Sequence, residues 1–523
     1  ASIVIEGNDS YGIRIENAAG LTGNLDIQGV MNLLGNNTRA ISLEGDLTGN
    51  LTHTGSITLR GENASAIVSS GTVTGQINNS GRITNTGYRF SDRPAVAGRA
   101  LLNDDDRLQA GSAIQVNGDV SNGLFLERVV TTNTAEDGTT SDTVTSISNI
   151  TQQGSAAAVL IDGQGTPIAI GIVASITDAN DENYVAAQQY AFVNQGTLTA
   201  NGVYDDMNAT AFEVRDAALA NGINNTNTLS ATTFRSGDDG TADTAGSTGL
   251  ARVIVLGSGA IADEINNSGL IIASVSEATD EIYADRTNIV SARHIQAVAI
   301  DIEANANLSR LVNSSSISAL VTGRDGEAIA VRDASGTLSF IENTGNIVAL
   351  SANSDAQGLE STSFNLIALD LSANTTGVTL NQIARVDEDL TDDVTPPLPT
   401  ISGNIFLGSG SDNVTISAGS VTGDIAFGDG ADSFALSGES VYTGGISDSD
   451  GLLSLAVSGG SSLRQTASNT IDVTDASFDS TSSFRPTLDG ATGQASTIMS
   501  SGDITFADGA TITPILNNVI STT

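Results

Sequence analysis

The chain has 523 residues, 60 acidic against 20 basic, for a net charge of −40, and every basic residue is arginine. Such a surface repels nucleic-acid phosphates and anionic lipid headgroups, which argues against both as partners, while attracting divalent cations. Apolar residues make up 39% but aromatics only 4%, with no Trp and no Cys, so any core is built from Val, Ile, Leu and Ala rather than from the aromatic clusters of a large globular enzyme.

In chain order, residues 1–7 read as a strand running into a turn. They carry no signal-peptide pattern, as expected of a chain whose targeting segment has been removed. Residues 3–20 resemble the end of a coil, because Gly7, Ile13 and Ile15 match Gly35, Ile41 and Leu43 in spacing. Two copies of 26 residues follow, LTGNLDIQGVMNLLGNNTRAISLEGD from Leu21 and LTGNLTHTGSITLRGENASAIVSSGT from Leu47. A third opens at Val73 as VTGQINNSGRITNTG. Leu25, Leu51 and Ile77 share one column; Met31, Ile57 and Ile83 share another. A fixed period of this size marks a repeat architecture, and short alternating apolar runs split by Gly and Asn are strand and turn chemistry. The fold predicted is an all-β, right-handed parallel β-helix with loop insertions and a C-terminal cap. No run approaches the ~18 apolar residues of a transmembrane helix.

Beyond residue 87 the coils lose their fixed length but keep two marks. One is Asn-Ser/Thr-x-x-Ile/Leu, beginning at Asn79, Asn225, Asn267, Asn313 and Asn343, with a looser case at Asn194. Asn tolerates left-handed torsions at turns, and stacked amides bond from coil to coil, so a structural ladder is expected. The other is a small-apolar strand, as at Ala113-Ile114-Gln115-Val116 and Ala328-Ile329-Ala330-Val331. The excess length is assigned to polar loops at residues 88–107, 128–144, 177–189, 232–249, 274–293, 352–363 and 385–399. Loops leaving equivalent corners would line one side, the natural place for partner contact.

From Ile401 the period tightens to 20 residues: Gly408-Ser409-Gly410-Ser411-Asp412-Asn413-Val414 recurs as Gly428-Asp429-Gly430-Ala431-Asp432-Ser433-Phe434. This G-x-G-x-D core resembles calcium-binding nonapeptide repeats, which implies Asp412, Asp429 and Asp432 as candidate calcium ligands. The same residues serve as Gly–Asp turns of a narrowing coil. Three regions result: 1–400 with coils of about 26 residues, 401–460 with narrower coils, and 461–523 as a cap or junction.

The last region carries the most specific likeness. The run from Phe484-Arg485-Pro486-Thr487 to Ile498, then Ser501-Gly502-Asp503-Ile504 to Pro514, resembles the passenger–barrel junction of autotransporter proteins. The coils before it resemble the same family's passenger. That resemblance implies secretion across the outer membrane of a Gram-negative bacterium, display at the cell surface or outside the cell, and an outer-membrane barrel beyond Thr523.

Catalytic chemistry finds little support. A Ser-His-Asp site needs its members together, but the only histidines, His53 and His294, lie 241 residues apart. His53 falls in the column of Ile27 and Asn79. β-Helical polysaccharide lyases and hydrolases need clustered carboxylates and sugar platforms. Asp104-Asp105-Asp106-Arg107, Asp238-Asp239 and Asp392-Asp393 are the nearest approach, each read more simply as an acidic loop. The expected function is a non-enzymatic surface passenger that adheres or self-associates in a coat or filament, with copies of itself or a surface glycan or protein as partner. A secreted β-helical lyase or hydrolase is the alternative.

Overall fold

The computed structural model describes residues 2–87, 94, 96–99, 101–134, 140–173, 189–204, 207–235, 248–277, 294–323, 325–353, 363–386, 395–466 and 469–518. The chain forms two compact units: Ala1–Leu308 with Ala319–Ala328 and Ser351–Asn365, and Ser309–Ser318 with Ile329–Leu350 and Leu366–Thr523. Each is a parallel β-helix built on three long sheets. Helix is confined among the described residues to two single turns, Val96–Arg99 and Asp104–Arg107. None is long and apolar enough to cross a membrane.

In the first unit one coil runs through Val30–Leu34 (first sheet), Arg39–Leu43 (second) and Leu51–His53 (third). The next repeats it with Ser56–Arg60, Ser65–Ser69 and Ile77–Asn79. The columns read from sequence are the observed registers: Met31↔Ile57↔Ile83, Ile13↔Ile41↔Ile67 and Leu25↔Leu51↔Ile77. Alternate side chains point to opposite faces of a strand, so in Ser56–Arg60 Ile57 and Leu59 are buried while Arg60 is exposed. Each such fully buried aliphatic chain contributes about 1.5–3 kcal/mol. The few aromatics are placed inside, with Phe192 stacked on Phe212 at 4.1 Å between ring centres.

The turns explain the repeated Thr-Gly-Asn. The Asn24 side chain accepts the N–H of Asn50 at 3.0 Å, and Asn50 accepts that of Gln76 at 2.9 Å. Each coil therefore caps its successor. At the next corner Gly61 (φ +147°) lies so close to the coil below that an added Cβ would meet the Gly35 carbonyl oxygen at 2.0 Å. Only glycine fits there.

Three sequence expectations need correction. Residues 128–144 are not a simple loop. Arg128–Thr134 and Thr140–Ile147 pair as an antiparallel hairpin with a bulge at Val129/Val130. The strands Thr228–Arg235, Thr248–Leu256 and Leu270–Glu277 extend into the regions assigned to the loops 232–249 and 274–293, whose remainder lies outside the described residues. Finally, the segments between strands do not all connect the same pair of sheets, so they do not all line one side. Residues 88–107, 236–247 and 278–293 join the first sheet to the second, but the hairpin joins the third to the first.

In the second unit the coils shorten to Thr400–Ser402, Asn404–Phe406 and Asn413–Ile416, then Ser420–Thr422, Ile425–Phe427 and Ser433–Leu436. Aromatics gather here: Phe434 meets Tyr442 edge-on at 5.3 Å, and Phe478 stacks on Phe506 at 4.5 Å. Near the C-terminal end Thr487–Asp489 pairs antiparallel with Gln494–Ala495 and parallel with Ile515–Asn517, leaving the coil pattern.

Candidate functional site

His53 and the recurrent Asn residues singled out by sequence lie on the interior of the third sheet. In the first unit one inward column reads Ile27, His53, Asn79, Leu126, Asn194, Asn225, Asn267. In the second it reads Asn313, Asn343, Gln382, Ile416, Leu436, Val457, Phe478. The amides form the expected ladder. Asn194 Nδ2 donates to Asn225 Oδ1 at 2.7 Å, and Asn225 Nδ2 to Asn267 Oδ1 at 2.8 Å. In the second unit Asn313 Nδ2 donates to Asn343 Oδ1 at 2.8 Å and Asn343 Nδ2 to Gln382 Oε1 at 3.1 Å. The left-handed half of the Asn expectation fails. These residues end strands with ordinary torsions, and the asparagines with positive φ are Asn37, Asn63, Asn221, Asn305 and Asn518 instead. Ladder and turn are separate duties, because an inward side chain cannot also sit at an outward corner.

His53 lies in this column, between Ile27 and Asn79. It is fully buried, and Nδ1 lies 2.6 Å from Asn79 Oδ1. Asn79 Nδ2 donates to Ser148 Oγ at 2.6 Å and to the Gly81 carbonyl at 3.2 Å. That network assigns the Asn79 oxygen as acceptor and the proton to His53 Nδ1. Nε2 is buried without a partner. His294 opens the strand His294–Ile302 of the second sheet, six strand steps from the Arg39–Leu43 strand of the coil that holds His53. That is about 29 Å. Burial lowers the His53 pKa below the ordinary 6.5, opposed by the bond to Asn79. A depressed histidine contributes stability that is present above pH 6.5 and is lost as pH falls through the folded value. We expect His53→Asn to keep the bond to Asn79, to hold stability at pH 7 to within about 1 kcal/mol, and to remove part of the loss on acidification. Urea unfolding of both proteins between pH 7.5 and 5 checks this, and parallel curves would refute it.

Asp412 and Asp432 are brought together, one coil apart in the second unit. Asp412 Oδ1 accepts the Val378 N–H at 2.6 Å, and Asp432 Oδ1 accepts the Asp412 N–H at 2.7 Å. Each residue is 2% exposed, and the second oxygen of each carboxylate is buried with no partner. Burial raises both pKa values, opposed at Asp412 by the Val378 N–H. Asp432 is pushed up to about 6 by burial, against the pull of the Asp412 N–H, with the charges of Asp412, Asp448 and Asp450 adding to the rise. Asp429 is not part of this stack. It is exposed and accepts from Ser449 Oγ at 2.5 Å. Among the described residues no group of three or more metal-ligating side chains is arranged to hold an ion. Sequence spacing did not single out Asp448, whose Oδ2 caps the Leu453 N–H at 3.0 Å and whose pKa burial also raises.

Asp104 and Asp105 are exposed, whereas Asp106 is buried in a capping box, accepting the Asn103 N–H at 3.3 Å. Asp238, Asp239, Asp392 and Asp393 lie outside the described residues. Taken together, fold and site define a parallel β-helix whose internal polar groups bond coil to coil. No protein-family model, curated protein or solved structure matches the chain.

Proposed function

We propose that this chain is a non-enzymatic, autotransporter-like passenger displayed on the cell surface, a scaffold that presents its outer face and acidic connections for adhesion or self-association. One observation carries the reading. The described residues with the best claim to chemistry, His53, Asp106, Asp412 and Asp432, are buried and engaged in tying backbone or neighbouring side chains. A solenoid held by such nearest-neighbour bonds tolerates insertions at its corners, and residues 88–107, 236–247 and 278–293 are such insertions. The net charge of −40 keeps copies soluble until a specific contact forms.

Electron microscopy of the native surface tests the reading. An ordered lattice or filament that disappears on deletion supports a coat. Loss of surface or host binding without a lattice supports an adhesin. Turnover of an acidic glycan by the purified chain, abolished by substituting Asp104, Asp105 and Asp106 with asparagine, would replace the proposal with the lyase or hydrolase alternative. Calcium is a separate question, and an unchanged melting temperature on chelation would remove it.

A further inference from the structure

Several arginines in this acidic chain face carboxylates. Arg14 bonds Glu44 at 2.7 Å, Arg215 lies 3.2 Å from Glu213, and Arg252 bonds Glu303 at 2.7 Å. Arg464 and Arg485 do not. They stand in register on adjacent coils of the first sheet in the second unit, Arg464↔Arg485, on the outer face opposite the buried Leu463 and Phe484. Each is half-buried, and the Nε of each is buried with no hydrogen-bond partner. No carboxylate among the described residues pairs with either. Beside them, two residues back on the same face, stand Ser462 and Ser483, also in register, and the Ser462 hydroxyl is buried and unpartnered as well. Thr443 precedes Arg464 in the same column.

The backbones of Arg464 and Arg485 are one strand step apart, about 4.8 Å by sheet geometry, so two positive side chains leave the same face side by side and repel each other, and their desolvated Nε donors add to the cost. An oxyanion between them removes both penalties. We propose that Arg464, Arg485 and Ser462 form an anion-binding site for a tetrahedral oxyanion, phosphate or sulfate. The charge decides the class. A doubly charged oxyanion neutralises both guanidinium groups, whereas one carboxylate neutralises only one. The planar fork of arginine matches phosphate and sulfate oxygens in bidentate fashion. The chain's net −40 repels polyanions at long range, so selectivity rests on these short-range donors.

Equilibrium dialysis of the full chain against radiolabelled inorganic phosphate, with chloride holding ionic strength constant, tests the site. One saturable phosphate per chain is expected, competed by sulfate and lost in R464Q/R485Q, whose circular dichroism should match the parent. If that variant does not fold, R464K/R485K keeps the charge but removes the fork and the Nε donors, and should weaken binding at least tenfold. Retention of dextran bearing phosphate monoesters but not of plain dextran, lost in the same variant, would identify a polymer-borne oxyanion. Phosphate binding without retention of the phosphorylated dextran would identify the free ion. Absence of saturable binding, or equal binding by the folded variant, overturns the proposal.

Discussion

Replacing Asn225 with leucine should destabilise the first unit by about 4 kcal/mol, the sum of several buried polar groups left unpaired at about 1–3 kcal/mol each. Asn225 accepts from Asn194 and donates to Asn267, to the Asn227 carbonyl at 3.1 Å and to the Leu270 carbonyl at 3.3 Å. Leucine fills the space but answers none of these groups, and Asn194 is fully buried. The chain holds a leucine at the equivalent Leu126, between Asn79 and Asn194. It is tolerated there because Asn79 turns to Ser148 instead. In the coil of Asn225 that serine's position is Asn227, whose side chain is already engaged, donating to the Gln195 carbonyl at 3.0 Å and accepting from Thr228 Oγ1 at 3.2 Å. Asn225 therefore has no such bypass. Urea unfolding of Asn225→Leu beside the parent measures the effect, and a loss under about 1 kcal/mol would show that the ladder contributes little beyond filling space.

The second large effect is electrostatic and opposite in sign to that of His53. Asp432 has a folded pKa of about 6 against an ordinary 3.8, so the folded chain holds this proton more tightly than the unfolded one. Its contribution is complete below pH 3.8 and is lost as pH rises through 6, a difference of about 3 kcal/mol between pH 3.5 and pH 7. Asparagine keeps an oxygen for the Asp412 N–H but carries no charge. Asp432→Asn should therefore gain on the parent as pH rises, with most of the gain between pH 4 and 6.5. General charge repulsion affects both proteins and cancels in the comparison. Chemical unfolding of both across that range is the check. A constant difference would mean that water or a cation already compensates the buried carboxylate.

Much of the architecture was legible without coordinates. The alternation of Ile57 and Leu59, the 26-residue recurrence of Thr-Gly-Asn and the Asn marks each report a local requirement, of strand pleat, turn cap or ladder. Those requirements repeat wherever a coil repeats. Residues 128–147 misled because a polar, Thr-rich hairpin exposed on both faces lacks the apolar alternation that signals a strand. The candidate site was half legible. The position of His53 in the Asn column followed from spacing, but its bond to Asn79 and the onward bond from Asn79 to Ser148 did not.

The sequence by itself therefore determined the coil, its inward columns and its outward turns, since each depends on residues within one period. Tertiary structure alone decided which polar groups meet across periods of unequal length. Asn79 and Ser148 are 69 residues apart, whereas the Asp412 N–H and the Asp432 carboxylate that accepts it are 20 apart. Insertions hide such distances from any fixed count. It also decided that Asp412 and Asp432 are buried rather than exposed to solvent, and that Arg464 and Arg485 stand in register with no carboxylate partner among the described residues. Stacking imposes one strand spacing on residues of any sequence separation, and that closeness turns an ordinary turn aspartate or surface arginine into a group with an altered charge balance.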